Sequence, residues 1–156
     1  MHGSVASSHP ALTLHASCVT FGDTDGDTGC GAGGVLLTGQ SNSGKSALAL
    51  QLIGLGARLV GDDMVRLESQ DGVLVASAIG RLDGVIEARR VGLLRAPFQA
   101  RTLVSLCVDM DQEEKERLPH TRVTNLLSCD VETIYKVSAA YFPAAIKQLV
   151  TTGRYL

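Results

Sequence analysis

Residues 35–55 read VLLTGQSNSGKSALALQLIGL, and this stretch decides the fold. Val35–Thr38 is a short apolar run that predicts a buried strand, and Lys45–Leu55 consists mainly of good helix formers. The segment Gly39–Ser46 between them fits the pattern GxxxxGK[ST]. A strand, a glycine-rich loop and a helix in this order predict an α/β fold with the loop at the carboxyl end of the strand.

The loop contains the residue types that phosphate binding requires. Glycines let backbone N–H groups turn towards phosphate oxygens, and the following helix presents unpaired N–H groups to an anion. We expect Lys45 to neutralise the β- and γ-phosphates of a nucleotide and Ser46 to ligate Mg²⁺. The predicted nucleotide-binding residues are Gly39, Gln40, Ser41, Asn42, Ser43, Gly44, Lys45 and Ser46.

Two acidic residues, Asp62 and Asp63, follow Lys45 by 17 and 18 residues. The predicted helix leads the chain about 16 Å away from the loop, and a strand at Ala57–Val60 brings it back by a similar distance. If that strand runs parallel to Val35–Thr38, both carboxylates lie beside the P-loop. Neighbouring strand residues point in opposite directions, so we expect one carboxylate to serve the metal and the other to act as general base. The alternative is a Gly-Asp-Asp turn without a catalytic role.

Composition limits the domain count and the partners. The chain has 156 residues and 45% hydrophobic residues, which predicts a flexible lead-in at residues 1–10 and one P-loop catalytic domain at residues 11–156. The net charge of −2 without a basic stripe argues against a nucleic-acid partner. No apolar run approaches the ~20 residues that span a membrane. Four dispersed cysteines without a CxxC pair indicate reduced thiols in a cytoplasmic protein: Cys18, Cys30, Cys107 and Cys129.

Several further elements are predicted from apolar periodicity and turn residues. Ala11–Phe21 is expected to be one strand, paired with Val35–Thr38 across the loop Gly22–Gly34. A hairpin is expected around Gln70–Gly72. The remaining predicted segments are a strand at Thr102–Met110, a charged surface stretch at Asp111–Arg117, a strand at Thr133–Val137 and a final helix at Ser138–Thr151.

These motifs together resemble the catalytic domain of the bacterial HPr kinase/phosphorylase family. The resemblance rests on Leu14–Ser17 (LHAS), on the P-loop stretch, on Leu59–Asp63 (LVGDD) and on Gly84–Leu94 (GVIEARRVGLL). The last segment is similar to a family signature whose usual form is close to LEIRGLGI, although Arg90 stands where glycine is usual. The similarity covers residues 11 to 150. Longer family members have an additional N-terminal domain, so a short form is expected here.

The resemblance implies a role for each residue of the site. Asp62 is implied as the catalytic carboxylate, which acts as base in the kinase direction and as acid in the reverse. His15 is implied to lie near Asp62 and to tune its protonation, and Arg89 to assist with phosphate. The residues implied to be catalytic are Asp62, His15 and Lys45, and those implied to serve the metal are Ser46, Asp63 and Glu87.

The implied reaction is phosphorylation of a seryl residue on the phosphocarrier protein HPr of a phosphotransferase system. The implied cofactors are Mg²⁺ and ATP, with pyrophosphate as an alternative donor, and the phosphorylase direction stays open. Two other functions also stay open. One is a P-loop small-molecule kinase or NTPase, although these usually place their second acidic motif further from the P-loop lysine. The other is a non-catalytic nucleotide-sensing module. The sequence leaves the oligomeric state open, a homo-oligomer included.

Overall fold

The computed structural model describes residues 10–22, 33–80 and 84–155. Residues 1–9 of the expected lead-in and most of the loop Gly22–Gly34, Cys30 included, lie outside the described residues. The strands are β1 (Ala11–Leu14), β2 (Ala16–Thr20), β3 (Gly34–Thr38), β4 (Arg58–Gly61), β5 (Val65–Gln70), β6 (Val73–Ser77), β7 (Val85–Ala88), β8 (Gly92–Arg95), β9 (Arg101–Glu113), β10 (Arg122–Leu126) and β11 (Cys129–Lys136). The helices are α1 (Lys45–Gly54) and α2 (Phe142–Thr151).

Most strands join one mixed sheet in the order β1-β5-β6-β9-β3-β2-β4, with β11 beside β9 and β10 beside β11. The β3–β9 and β9–β11 pairs are parallel, and the other pairs are antiparallel. Strands β7 and β8 form a separate hairpin. The predicted α/β class, a mixed sheet with flanking helices, is therefore confirmed. Among the described residues, neither helix has the length and apolar character that crossing a membrane requires.

Strand directions bring the important chain segments to one edge of the sheet. Strand β2 pairs antiparallel with both β3 and β4, so β3 and β4 run in the same direction on either side of it. Strand β9 is parallel to β3. The carboxyl ends of β3, β4 and β9 consequently meet at the same edge. This confirms the direction predicted for Ala57–Val60, which is observed as β4.

The core has two apolar clusters, one on each face of β3. Val35 and Leu37 face the first cluster, where Leu52 of α1 and Ile146 of α2 pack. Leu36 faces the second, where Leu67 of β5 and Val131 of β11 pack. Because both faces of β3 are buried, its sequence is continuously apolar instead of alternating.

The second cluster also holds three thiols, which are free: Cys18, Cys107 and Cys129. Burial raises the pKa of Cys18 to about 12 and that of Cys107 to about 11. Cys18 and Cys107 therefore stay protonated in the folded chain at neutral pH, as expected for structural cysteines.

The prediction of one strand over Ala11–Phe21 is wrong at His15, where the strand breaks. Before this residue β1 pairs with β5, and after it β2 pairs with β3 and β4. At this point the chain leaves the edge of the sheet beside β5 and enters the position between β3 and β4. Because the apolar alternation continues on both sides of the break, the sequence pattern does not reveal it.

Other element boundaries differ from expectation for identifiable reasons. Strand β9 continues to Glu113, because β11 extends alongside it to the pair Lys136–Glu113. Strand β10 was not predicted, because apolar and polar residues do not separate onto two faces: Val123 is exposed, and Arg122 and Thr124 are half-buried. Helix α2 begins at Phe142 and not at Ser138, and a proline follows at its first turn.

Candidate active site

The P-loop Gly39–Ser46 connects β3 to α1 at the carboxyl edge of the sheet. Gly39 has φ +141°, and a Cβ atom there would lie 2.7 Å from the Ser43 hydroxyl and 3.1 Å from the Met110 Cβ. Glycine is therefore required at this position. Gly44, with φ +101°, is the N-cap of α1, and no side chain caps the helix. The first N–H groups of α1 are consequently free to bind an anion.

Lys45 is buried and folds back over the loop. Its Nζ donates hydrogen bonds to the carbonyl oxygens of Gly39 and Gln40, both at 2.7 Å. Hydrogen bonds from an ammonium to anionic oxygens are stronger than those to neutral carbonyls. Lys45 is thus positioned to exchange these carbonyls for phosphate oxygens.

Asp111 also contacts the P-loop, which the sequence did not indicate. Its carboxylate accepts a hydrogen bond from the Gln40 N–H at 3.0 Å. The parallel pairing of β9 with β3, with Asp109 opposite Thr38, brings this residue to the loop. The available signal was its place directly after a predicted strand, but its charged neighbours indicated a solvated surface.

Asp62 is tied to the P-loop serine. One carboxylate oxygen accepts hydrogen bonds from the hydroxyl of Ser46 at 2.8 Å and from the hydroxyl of Ser17 at 2.7 Å. Ser17 is fully buried in β2, between β3 and β4. Its role as a second support for Asp62 was not predicted, because it depends on the pairing of strands distant in sequence.

Asp63 points away from these serines and towards the break between β1 and β2. Its carboxylate lies 2.7 Å from the Nε2 atom of His15, and its backbone oxygen accepts a hydrogen bond from Ala16. Asp63 has φ +76°, a conformation that aspartate tolerates better than most residues. The resemblance implied that His15 lies near Asp62 and tunes its protonation, and the side-chain contact that His15 makes in the structure is with Asp63. The reason is that adjacent side chains diverge and His15 lies on the Asp63 side.

The β7–β8 hairpin packs on α1, and its turn contacts the P-loop. Arg89 donates a hydrogen bond to the Asn42 side-chain oxygen at 2.6 Å. Arg90 has φ +70°, so an arginine here adopts the left-handed conformation that the glycine usual in the family favours. Glu87 is exposed on β7 and faces the P-loop side.

A cavity of about 550 Å³ brings most of these residues together. Asp63 lines it directly, whereas Asp62 accepts hydrogen bonds from two serines that line it. The predicted site residues on its wall are His15, Ser41, Asn42, Gly44, Lys45, Ser46, Asp63, Glu87 and Arg89. The structure therefore collects the expected P-loop, acidic and basic groups around one space that can hold a phosphate chain.

The residues around Ser46 fit a magnesium ion. Within the described ranges, no three His, Cys, Asp or Glu side chains form a ready-made metal cluster. The Ser46 hydroxyl and the Asp62 carboxylate nevertheless place two hard oxygen atoms 2.8 Å apart, with Glu87 on the cavity wall. Mg²⁺ typically takes one or two carboxylates and keeps several waters, so a sparse donor set suits it. Ser46 contacts Asp62 and not Asp63, which was the aspartate expected to serve the metal.

The geometry defines a class of protein. A glycine-rich loop at the carboxyl end of a central strand, an uncapped helix and two carboxylates opposite the loop make a P-loop domain. Such a domain places the terminal phosphate of a nucleotide beside a carboxylate.

Comparisons with known proteins give the family. The family model of the HPr Serine kinase C-terminal domain matches residues 30–139. An HPr kinase/phosphorylase of Geobacillus sp. (strain WCH70) is 33% identical over an alignment of 114 residues, which covers 60% of this chain and 37% of the relative. That of Clostridium kluyveri is 46% identical over 61 residues, or 39% of this chain and 20% of the relative.

A solved structure agrees with this family. The Hpr(Ser) kinase/phosphatase from Coxiella burnetii superimposes with a TM-score of 0.68 and 27% identity, over 89% of this chain and 93% of that one. The chain belongs to the HPr serine kinase family, in its C-terminal domain. It spans little more than a third of the Geobacillus relative and a fifth of the Clostridium relative.

Proposed function

We propose that this chain transfers the γ-phosphate of ATP to a seryl hydroxyl of an HPr-like phosphocarrier protein. The observation that carries the proposal is the Asp63–His15 pair, 2.7 Å apart, on the wall of the same cavity as Lys45 and the P-loop. A phosphate cradle alone would suit a nucleotide sensor. A carboxylate on the wall of the same cavity that is not hydrogen-bonded to Ser46 also suits proton transfer.

The contacts favour exchanging the roles that the resemblance implied for the two aspartates. Asp62 is bound to the P-loop hydroxyl of Ser46, as expected for a carboxylate on the metal side. Asp63 lines the cavity and is largely exposed, so an incoming hydroxyl can reach it. We therefore propose Asp63 as the proton acceptor, with His15 holding its carboxylate in place, and Asp62 with Ser46 as the pair that holds Mg²⁺.

The proposed transfer needs little covalent chemistry from the protein. The seryl oxygen attacks the γ-phosphorus, its proton passes to Asp63, and the bond to the β-phosphate oxygen breaks to release ADP. Lys45 and the N–H groups at the start of α1 neutralise charge on the phosphates. When bound by Ser46 and Asp62, Mg²⁺ would supply further neutralisation of phosphate charge.

The reverse reaction uses the same groups. Protonated Asp63 would return the proton to the seryl oxygen as inorganic phosphate takes up the phosphoryl group and pyrophosphate forms. One carboxylate can serve both directions because the site works mainly by positioning and charge neutralisation. The names of the relatives, HPr kinase/phosphorylase, support both directions and HPr as the acceptor. The proposed use of ATP and the free thiols among the described residues support a cytoplasmic location.

The test is a transfer assay with γ-labelled ATP, Mg²⁺ and purified HPr. We expect label on a seryl residue of HPr with the wild-type chain and none with Lys45→Ala, which lacks the ammonium beside the P-loop. Nucleotide binding without any label on HPr from the wild-type chain would refute the proposal and favour a nucleotide-sensing module. Label transferred to small hydroxyl compounds but not to HPr would favour a small-molecule kinase.

A further inference from the structure

The β7–β8 hairpin has one face packed on the protein and one face open. Ile86 is buried against α1, and Leu94, its partner across the hairpin, packs on the same cluster. Glu87 pairs directly with Leu93, so these two side chains share the opposite face. Val85 and Arg95 also pair with each other on that face, because side chains alternate along each strand.

This outer face, which comprises Glu87, Val91, Leu93 and Arg95, is continuous with the active-site cavity. Glu87 and Val91 line the cavity itself. Val91 is 74% exposed and Leu93 is 75% exposed, although both are apolar. Two large apolar side chains held open on a hairpin at the mouth of a cavity are typical of a surface that contacts another molecule.

The proposed reaction requires such a surface. A seryl side chain is only two covalent bonds long, so the backbone of an acceptor protein must come close to the γ-phosphate. The acceptor surface around that serine must then lie against the rim of the cavity. The β7–β8 turn forms part of this rim, and Arg89 links it to Asn42 of the P-loop.

The charge of the hairpin indicates the chemistry of the partner. Arg89, Arg90 and Arg95 accompany the single acid Glu87, in a chain whose net charge is −2. We propose that the outer face is the docking surface for the acceptor protein, and that it receives an apolar patch flanked by carboxylates next to the acceptor serine. This inference rests on the proposed function and adds the surface that selects the protein substrate.

The experiment measures KM for HPr, kcat at saturating HPr and the Kd for Mg·ATP in Val91→Ser and Leu93→Ser. Truncating an apolar anchor residue at a protein interface typically weakens the affinity of the complex by more than tenfold. We expect KM for HPr to rise about five- to thirtyfold in each variant. In Leu93→Ser, whose side chain is not part of the cavity lining, kcat and the Kd for Mg·ATP should stay within about twofold of wild type. Arg95→Glu should raise KM as well, and the increase should shrink at high salt.

Val73→Ser is the matched control. Val73 is also an exposed valine, 45% accessible. It lies after the turn that joins β5 to β6, and Asp63 lies before the opposite end of β5. Its KM for HPr should equal that of wild type. The docking surface would be refuted by an unchanged KM in Val91→Ser and Leu93→Ser, or by an equal rise of KM in Val73→Ser. In either case, phosphorylation of HPr by the wild-type chain would still support the proposed function. If Leu93→Ser lowered the molecular mass of the protein in solution and left KM for HPr unchanged, the outer face would be a contact between two copies of the chain, and the inference would be wrong.

Discussion

Replacing Asp63 by asparagine removes the proposed proton acceptor with little disturbance of the structure. Asparagine has the same shape and also tolerates the left-handed backbone that φ +76° imposes at this position. The lost contact with His15 joins side chains that are 43% and 74% exposed, so it contributes less than about 1 kcal/mol to the free energy of unfolding. We therefore expect the thermal midpoint to fall by less than about 4 °C.

The effect on catalysis should be far larger than the effect on stability. A positioned general base typically accelerates its reaction by about 10²–10⁴-fold, which corresponds to about 3–5 kcal/mol of transition-state stabilisation. We expect Asp63→Asn to lower kcat for HPr phosphorylation by this factor and to leave the Kd for Mg·ATP nearly unchanged. Single-turnover transfer of label from γ-labelled ATP measures the chemical step, and nucleotide titration measures the affinity.

Asp62→Asn is the informative comparison. This carboxylate accepts hydrogen bonds from Ser46 and Ser17, and a hydrogen bond to a charged group contributes about 1.5–3 kcal/mol. We expect its loss to weaken Mg·ATP binding by at least about tenfold. The proposed division of roles would be refuted if Asp63→Asn kept more than a tenth of the wild-type kcat. The same conclusion would follow if Asp62→Asn lost only kcat and bound Mg·ATP normally.

Two further predictions concern residues around the site and in the core. Asp111→Ala should raise the Kd for Mg·ATP about two- to tenfold, because the Gln40 N–H loses its acceptor, whereas Asp111→Asn should retain wild-type affinity; equal affinity in Asp111→Ala and wild type would contradict the role of Asp111 in holding the P-loop. Cys18 has its pKa raised by burial from 9.0 to about 12, so above pH 9 the unfolded chain releases a proton that the folded chain keeps. The free energy of unfolding should therefore fall by about 1 kcal/mol per pH unit from this thiol between pH 9 and 11, as measured by urea titration. An identical pH slope in Cys18→Ala would exclude this thiol as the cause.

The parts of the site that were predictable depend on residues close together in the sequence. The P-loop and α1 are contiguous, and their glycines and helix formers specify the local backbone. The position of Asp62 and Asp63 beside the loop also followed, because the lengths of one helix and one strand suffice to bring the chain back. The two-residue turn at Asp71 and Gly72 was likewise apparent, and both residues have positive φ in the structure.

The parts that were not predictable depend on which strands pair and in what register. Asp111 reaches Gln40 across 71 residues, only because β9 lies parallel to β3. Ser17 supports Asp62 because β2 lies between β3 and β4. His15 contacts Asp63 because the chain changes pairing partners at that residue, which apolar periodicity does not report.

A ligand of the P-loop must compete with backbone carbonyls for the ammonium of Lys45. This ammonium already has two partners, the carbonyl oxygens of Gly39 and Gln40, so a ligand must displace these bonds to gain it. A neutral hydroxyl or amide offers no stronger bond than the carbonyls do, and gains nothing by the exchange. Anionic oxygens add the attraction between two full charges and therefore bind the ammonium more strongly. The two hydrogen bonds of Lys45 thereby favour anionic ligands over uncharged ones.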